Sequence, residues 1–328
     1  MKRLALLCAL SVAGRAFGSF ELALILQNYD PADGPTALHI TRWDPINHLN
    51  LGQFLVADAH ASSELSLNTA APGTVDLIQI DSGVLTTRRY NYSTGIFVSG
   101  LSTGVSMTTI AAARYVGSNL LVAGNFGGTQ QARLYSTAGT LLRGYSMPAG
   151  TLGAVDAVTT ASGITFVLSR QAGTSSGSKY TLTSYAAGSG VIAQSVTLLD
   201  NTTDTLHSLV VTDTHVGVGA TQFSDRRFVP YTGTTLGSVG ATGGYVVKTD
   251  SLAQGHGDFV WGFGIDTAQT RMFFSTARLA QFNSTFWETS SANYGSIYDS
   301  TIVLAPEPGT MAAVGLGLVA LLKRRKRR

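Results

Sequence analysis

Between residues 19 and 305 the chain is built from short runs in which apolar and polar residues alternate, each bounded by Gly, Asp, Thr or Asn. Alternation with period two places successive side chains on opposite faces, the pattern of half-buried antiparallel strands joined by tight turns. Pairs of such runs stand out in "TIAAARYVGSNLLVAG", "AVTTASGITFVLS", "SLVVTDTHVGVGAT" and "FVWGFGIDTAQTRMFFST". Each pair predicts a hairpin. Downstream of most of them lies a second hairpin-like unit, in which a strand reaches an aromatic residue, a turn of small polar residues follows, and another strand begins. The copies are "LHITRWDPINHLNLGQF", "TTRRYNYSTGIFVSG", "QARLYSTAGTLLRGYS", "YTLTSYAAGSGVIAQSV", "RRFVPYTGTTLGSV" and "ARLAQFNSTFWETS".

The aromatics of the six copies are Trp43, Tyr92, Tyr135, Tyr185, Tyr231 and Phe282, separated by 49, 43, 50, 46 and 51 residues. A mean spacing of about 48 residues, with two hairpins per unit, corresponds to one four-stranded propeller blade. The predicted fold is therefore all-β, a β-propeller of about six blades, and the marker aromatics read as packing residues. A pair of β-sandwiches would show the same strands and turns and is the alternative. The first unit, "FELALILQNYDPADG", is short of a strand, while "GSIYDSTIVL" (residues 295–304) follows the sixth. That last strand is expected to complete the first blade and so remove the open edges of the ring.

Composition agrees with a strand-and-turn chain: 37 of the 328 residues are Gly, and only 12% are charged. The formal charge of +3 misleads, because nine of the 22 basic residues lie in the first 15 and last six positions. Residues 19–305 hold 13 basic and 18 acidic side chains, a net of −5. Such a body offers no footprint for nucleic acid.

The two ends carry the strongest signals. Lys2 and Arg3, the apolar "LALLCALSVAG" and the small residues of "RAFGS" form a secretory signal peptide over residues 1–18. Cys8, the only cysteine, belongs to it, so the mature body has neither disulfide nor thiolate chemistry. At the other end, Pro306, Glu307, Pro308 and Gly309 precede an apolar run over residues 311–322 and the basic residues Lys323, Arg324, Arg325, Lys326, Arg327 and Arg328. As a helix that run spans about 18 Å, short of a hydrocarbon core of roughly 30 Å. The basic end resists translocation and holds the C-terminus on the cytoplasmic side.

This order of Pro-Glu-Pro, Gly-interrupted apolar segment and arginine-rich end resembles the PEP-CTERM sorting signal of exported bacterial proteins. The resemblance covers residues 306–328. It implies export by the Sec machinery, transient anchoring of a transmembrane helix, and removal near the Pro-Glu-Pro by an exosortase, a membrane-embedded transpeptidase-like protease. The expected organisation is thus a signal peptide (1–18), a propeller-like body (19–305) and a sorting signal (306–328), with the product at the cell surface or outside the cell.

Chemistry in the body is harder to read. The six histidines show no pairing at helical zinc spacing, and no Gly-x-Ser-x-Gly elbow occurs. His256 and Asp258 in "QGHGDFVWG" share one face of a strand and form a weak candidate for a base with its orienting acid, or for two metal ligands. "LLDNTTDTLH", with Asp200, Asn201 and Asp204, reads as a capped turn, too poor in ligands for an EF-hand loop. "VAGNFGGTQQ" lacks the Lys-Ser/Thr of a phosphate loop and reads as a turn. No cofactor is expected. The reading that follows is a structural or binding module of the cell surface or extracellular matrix, with exopolysaccharide or other envelope components as partners. The alternative is a hydrolase or lyase acting on extracellular polysaccharide in the propeller channel.

Overall fold

The computed structural model describes residues 20–28, 38–44, 49–56, 59–60, 62–68, 70–203, 205–211, 215–220, 227–240, 271–274, 279–283, 286–289 and 296–304. They form strands in a repeating order. The first blade contains β1 (Phe20–Asn28), β2 (Leu38–Asp44) and β3 (Leu49–Val56); the second, β4 (Glu64–Ser66), β5 (Thr74–Asp81), β6 (Val84–Asn91) and β7 (Phe97–Ser106). The third holds β8 (Thr109–Val116), β9 (Asn119–Phe126), β10 (Thr129–Tyr135) and β11 (Leu141–Tyr145), and the fourth β12 (Thr151–Thr159), β13 (Thr165–Ala172), β14 (Ser178–Tyr185) and β15 (Ile192–Thr202). The fifth has β16 (Leu206–Val211), β17 (His215–Ala220), β18 (Arg227–Thr232) and β19 (Thr235–Leu236); the sixth, β20 (Arg271–Phe274), β21 (Leu279–Asn283) and β22 (Phe286–Thr289). The last strand is β23 (Ser296–Leu304).

Within each blade neighbouring strands are antiparallel and follow chain order, with one exception. The first sheet has the order β23-β1-β2-β3, so the end of the chain supplies its innermost strand. Leu304 pairs with Phe20 and Ser296 with Asn28, with two register shifts between them. This is the closure expected from residues 295–304. The first strands of successive blades stand side by side, β23 against β4, β4 against β8, β8 against β12 and β12 against β16, and surround the central axis. Small residues allow this convergence, as in the Ala111, Ala112 and Ala113 of β8 and the Gly153 and Ala154 of β12.

The core is a series of apolar layers between blades. Leu24, Ile40 and Val56 of the first blade meet Leu65, Val75, Leu77 and Tyr90 of the second. Ile78 and Leu85 meet Ala113, Leu120, Val122 and Tyr135 of the third. Leu121, Leu134 and Tyr145 meet Val167 and Tyr185 of the fourth, whose Phe166, Leu168 and Leu182 meet Leu206, Val216 and Val229 of the fifth. The inner strands are consequently covered on both faces. Thr165 to Ser169 of β13 are consecutively buried, whereas the outer strand β7 is exposed along nearly all its length. Continuous two-sided burial thus falls on the second strands β5, β9 and β13, whereas the third strand β6 alternates.

The period-marking aromatics fall at or beside the end of the third strand of each blade, just before the outer hairpin turn. Tyr135 and Tyr185 are buried. Tyr185 packs edge-on against Tyr145 of the preceding blade at 5.1 Å, and Tyr231 against Phe166 at 4.9 Å. Pairs of this geometry contribute about 0.5–1.5 kcal/mol beyond area burial. The side chains of Trp43 and Phe282 lie outside the described residues.

In the second, third and fourth blades the turn after the aromatic presses on the outer strand of the previous blade. A Cβ on Gly139 would stand 2.0 Å from the Thr103 carbonyl oxygen, one on Gly190 1.9 Å from that of Gly144, and one on Gly95 2.6 Å from the Phe54 side chain. The Ser146 amide donates to Gly190 O at 2.9 Å across the same junction. Gly139 also has φ +79°, whereas Gly117 (φ +62°) has open space around it. Gly117→Ala is expected to cost about 1 kcal/mol for its backbone alone, and Gly139→Ala about 2–4 kcal/mol because the blade contact must also open. Urea unfolding of the two variants measures the difference.

Candidate functional site

Two strands carry an aspartate where their apolar neighbours predict core. In β5, "TVDLIQID", Asp76 is fully buried between Val75 and Leu77. A buried carboxylate must be paired, and its partner is supplied by register. Arg89 of β6 lies directly opposite, so both side chains project from one face. Its Nε and Nη2 donate to the two Asp76 oxygens, each at 2.7 Å. Tyr115 of β8 adds its hydroxyl to Asp76 Oδ2 at 2.6 Å, from the next blade. Burial and the bond to Asp76 push the Tyr115 phenol far up, so it stays a donor. The bond to Asp76 likewise raises the Arg89 guanidinium, which remains charged.

Arg89 and Tyr115 also border a cleft of about 450 Å³ between the second and third blades. Its lining includes Asn68, Thr87, Ser99, Thr103 and Ser118, hydroxyl and amide groups with apolar surface from Leu101 and Leu120 between them. This size is ordinary for a small-molecule pocket. The ion pair holds the guanidinium in place, and the surrounding groups donate and accept hydrogen bonds without a net charge of their own.

The second aspartate, Asp156 of β12, sits on the inner ring. It takes Arg114 Nη2 of β8 on Oδ1 at 2.6 Å, the Ala157 amide on the same oxygen at 2.6 Å, and the Leu209 amide of β16 on Oδ2 at 2.6 Å. Burial pushes its carboxyl up, against the pull of Arg114 and the two amides. One side chain thus joins the innermost strands of three blades. Arg114 and Tyr115 are consecutive, so adjacent residues of β8 reach forward to the fourth blade and back to the second.

A third cluster lies where the connection from the first blade meets the β5–β6 turn. His60 Nε2 is 3.3 Å from Asp81 Oδ1, and half of the imidazole is exposed. Asp81 also accepts from Gln79 at 2.7 Å, Thr86 at 2.7 Å and Arg88 at 3.3 Å, and buried Ser63 donates to Gln79 at 3.0 Å. Burial raises the Asp81 carboxyl, but the bonds from Thr86, Gln79 and Arg88 outweigh it and hold the group below its ordinary value.

Asp200 and Asn201 bind neighbouring backbone. Asp200 accepts from the Thr174 amide and hydroxyl, and Asn201 Oδ1 from the Ser175 and Ser176 amides at 2.7 and 3.1 Å. Their oxygens cap the β13–β14 turn, whereas the two residues themselves lie in strand β15 and not in the turn that the sequence reading expects. In "VAGNFGGTQQ", Asn125 Oδ1 accepts from the Gly128 amide at 2.8 Å, again closing a turn. Asp204, His256, Asp258 and residues 306–328 lie outside the described residues. Among the described residues no three His, Cys, Asp or Glu side chains gather as a metal site. Sequence reading passes over Asp76 and Asp156, although an acid inside an apolar strand is the signal that points to both.

The PEP-CTERM protein-sorting motif matches residues 304–328. The chain carries a PEP-CTERM sorting signal. It is thereby an exported protein with a membrane-anchored signal at its C-terminus, and an exosortase is its processing partner. No curated protein matches the chain. Among solved structures, the body is similar to the periplasmic gluconolactonase of Pseudomonas aeruginosa (12% identity, TM-score 0.50, covering 88% of this chain and 100% of that one). It is also similar to a structure from the nidogen/laminin complex (11%, 0.54, 86% and 98%) and to a protein from Lactobacillus plantarum (11%, 0.53, 87% and 99%). At such identities the likeness shows the fold alone.

Replacing Asp156 by Ala removes a charge and the acceptor of three bonds, and is expected to cost about 3–5 kcal/mol in denaturant unfolding. Adding Arg114→Met to that variant should return part of the loss, because the guanidinium no longer lacks its partner.

Proposed function

We propose that the PEP-CTERM protein acts at the cell surface or in the extracellular matrix as a binding module for polyhydroxylated ligands, with exopolysaccharide as the partner class. The observation that carries this reading is the cleft between the second and third blades. A lining of Ser, Thr and Asn side chains around one fixed guanidinium matches the dense hydroxyl groups of a sugar, while exposed Leu101 offers an apolar patch to a ring face. The rigidity of the blades suits such a role, since groups held by register and by the Arg89–Asp76 pair need little ordering when a ligand arrives.

The sorting motif supports the location. Once its C-terminal signal is removed, the body is free to reside among envelope polymers. Mass spectrometry of the protein recovered from the cell exterior should show a C-terminus near residue 306, lacking the apolar run and the arginines. Recovery of a chain that still ends at Arg328 would contradict release.

Titration of the exported protein with exopolysaccharide fragments tests the binding reading. Ser99→Trp fills the cleft from its outer wall and is expected to weaken binding at least about tenfold, equivalent to about 1.4 kcal/mol, with unfolding unchanged. Unaltered affinity in that variant would move the ligand elsewhere. Following the same mixtures for new reducing ends tests the alternative of polysaccharide cleavage.

A further inference from the structure

β23 has two roles that the sequence reading treats separately. It is the innermost strand of the first blade, and it is the last strand before the sorting signal. In the second to fifth blades the first strand runs from the face bearing the inter-blade connections toward the face bearing the β4–β5, β8–β9 and β12–β13 turns. β23 occupies the same position, so its end at Leu304 emerges beside the central channel on that second face, next to the start of β1 at Phe20.

Only residues 305–310 separate Leu304 from the apolar run. Fully extended, six residues reach about 20 Å, and several ångströms of this are taken up in crossing the headgroup layer. A four-stranded blade extends roughly 20–25 Å from the axis, and an inner strand of eight or nine residues stands about 27 Å tall. The tether is too short to pass around the rim, too short to return through the ring, and attached at the centre rather than at an edge.

The chemistry of the second face fits the same arrangement. The β4–β5, β8–β9 and β12–β13 turns, "NTAAPG" (68–73), "GS" (117–118) and "TASG" (160–163), contain no charged residue, while residues 212–214 between β16 and β17, "TDT", include Asp213. The opposite face carries His60, Asp81 and Asp200. Three uncharged turns around the point where β23 ends meet no repulsion from an anionic bilayer surface.

We propose that, while its sorting signal is in the membrane, the propeller stands face-on: its axis lies along the membrane normal, the β4–β5, β8–β9 and β12–β13 turns face the phospholipid headgroups, and the His60–Asp81 face points outward. The membrane surface is thus a partner of one face. The exosortase must work in the gap beneath the channel mouth, within a few residues of the strand that closes the ring.

Cys8 is the only cysteine, so in a Cys8→Ser background single introduced thiols report without interference. The full chain with its tail intact is placed in phosphatidylethanolamine/phosphatidylglycerol vesicles, carrying Ser118→Cys or Ala161→Cys on the membrane face, or Ser62→Cys or Ala149→Cys on the outward face. All four positions are exposed. A bulky, impermeant maleimide should label the first pair several-fold more slowly on vesicles than in detergent, and the second pair equally in both. A long Gly/Ser insertion after Ala305 should abolish the difference by freeing the ring. Equal labelling of all four thiols on vesicles, or protection of the outward pair, overturns the proposal. Flotation separates this from the tail reading: a chain that does not float with the vesicles disproves insertion of the tail, and the orientation with it. Two positions per face ensure that one misfolded variant leaves the comparison standing.

Discussion

The second, third and fourth blades each have two apolar faces, and each face is covered by a neighbouring blade. That constraint governs the rest of the structure. A row of such sheets would end in two uncovered layers, so the chain must return to its start. β23 does this by pairing with β1, and because it takes the innermost position, closure is made where the blades are closest and the packing least tolerant of a gap. The small residues of β8 and β12 and the aromatic pairs at the third strands solve one geometric problem at two radii. Sheets that converge need small side chains near the axis and large ones farther out.

The same crowding explains why charged groups are admitted to the interior in pairs. Asp76 and Asp156 would each be costly alone in layers made of Leu, Val and Ala. Each is met by an arginine, and each has a further bond from a neighbouring blade, so their desolvation is offset while the relative rotation of adjacent sheets is restricted. Hydrophobic layers are non-directional and would allow blades to slide. Hydrogen bonds from Tyr115 and Leu209 are directional and set the angle. The cleft beside Arg89 is a by-product of that arrangement, an opening between two blades whose floor is already fixed.

Closure also ties architecture to export. The strand that completes the ring continues directly into the sorting motif. A tether attached at the axis constrains tilt as well as distance. In the proposed face-on arrangement, the protein's encounter with the membrane is set by how the ring is closed.

Much of this was legible in sequence. The alternating runs, the spacing of aromatics from Trp43 to Phe282 and the surplus strand at residues 295–304 determine strand content, blade length and the means of closure, because each is a local pattern with a fixed period. The sorting signal is legible for a similar reason, since it is read as a linear order of residue types. What only the tertiary structure decided is which side chains meet across blades: that Asp76 faces Arg89 and Tyr115, that Asp156 joins three inner strands, that His60 lies beside Asp81, and that a cleft opens between the second and third blades. Those partners are up to 53 residues apart in the chain. Their meeting depends on how adjacent sheets turn and stack around the axis, which no period along the sequence encodes.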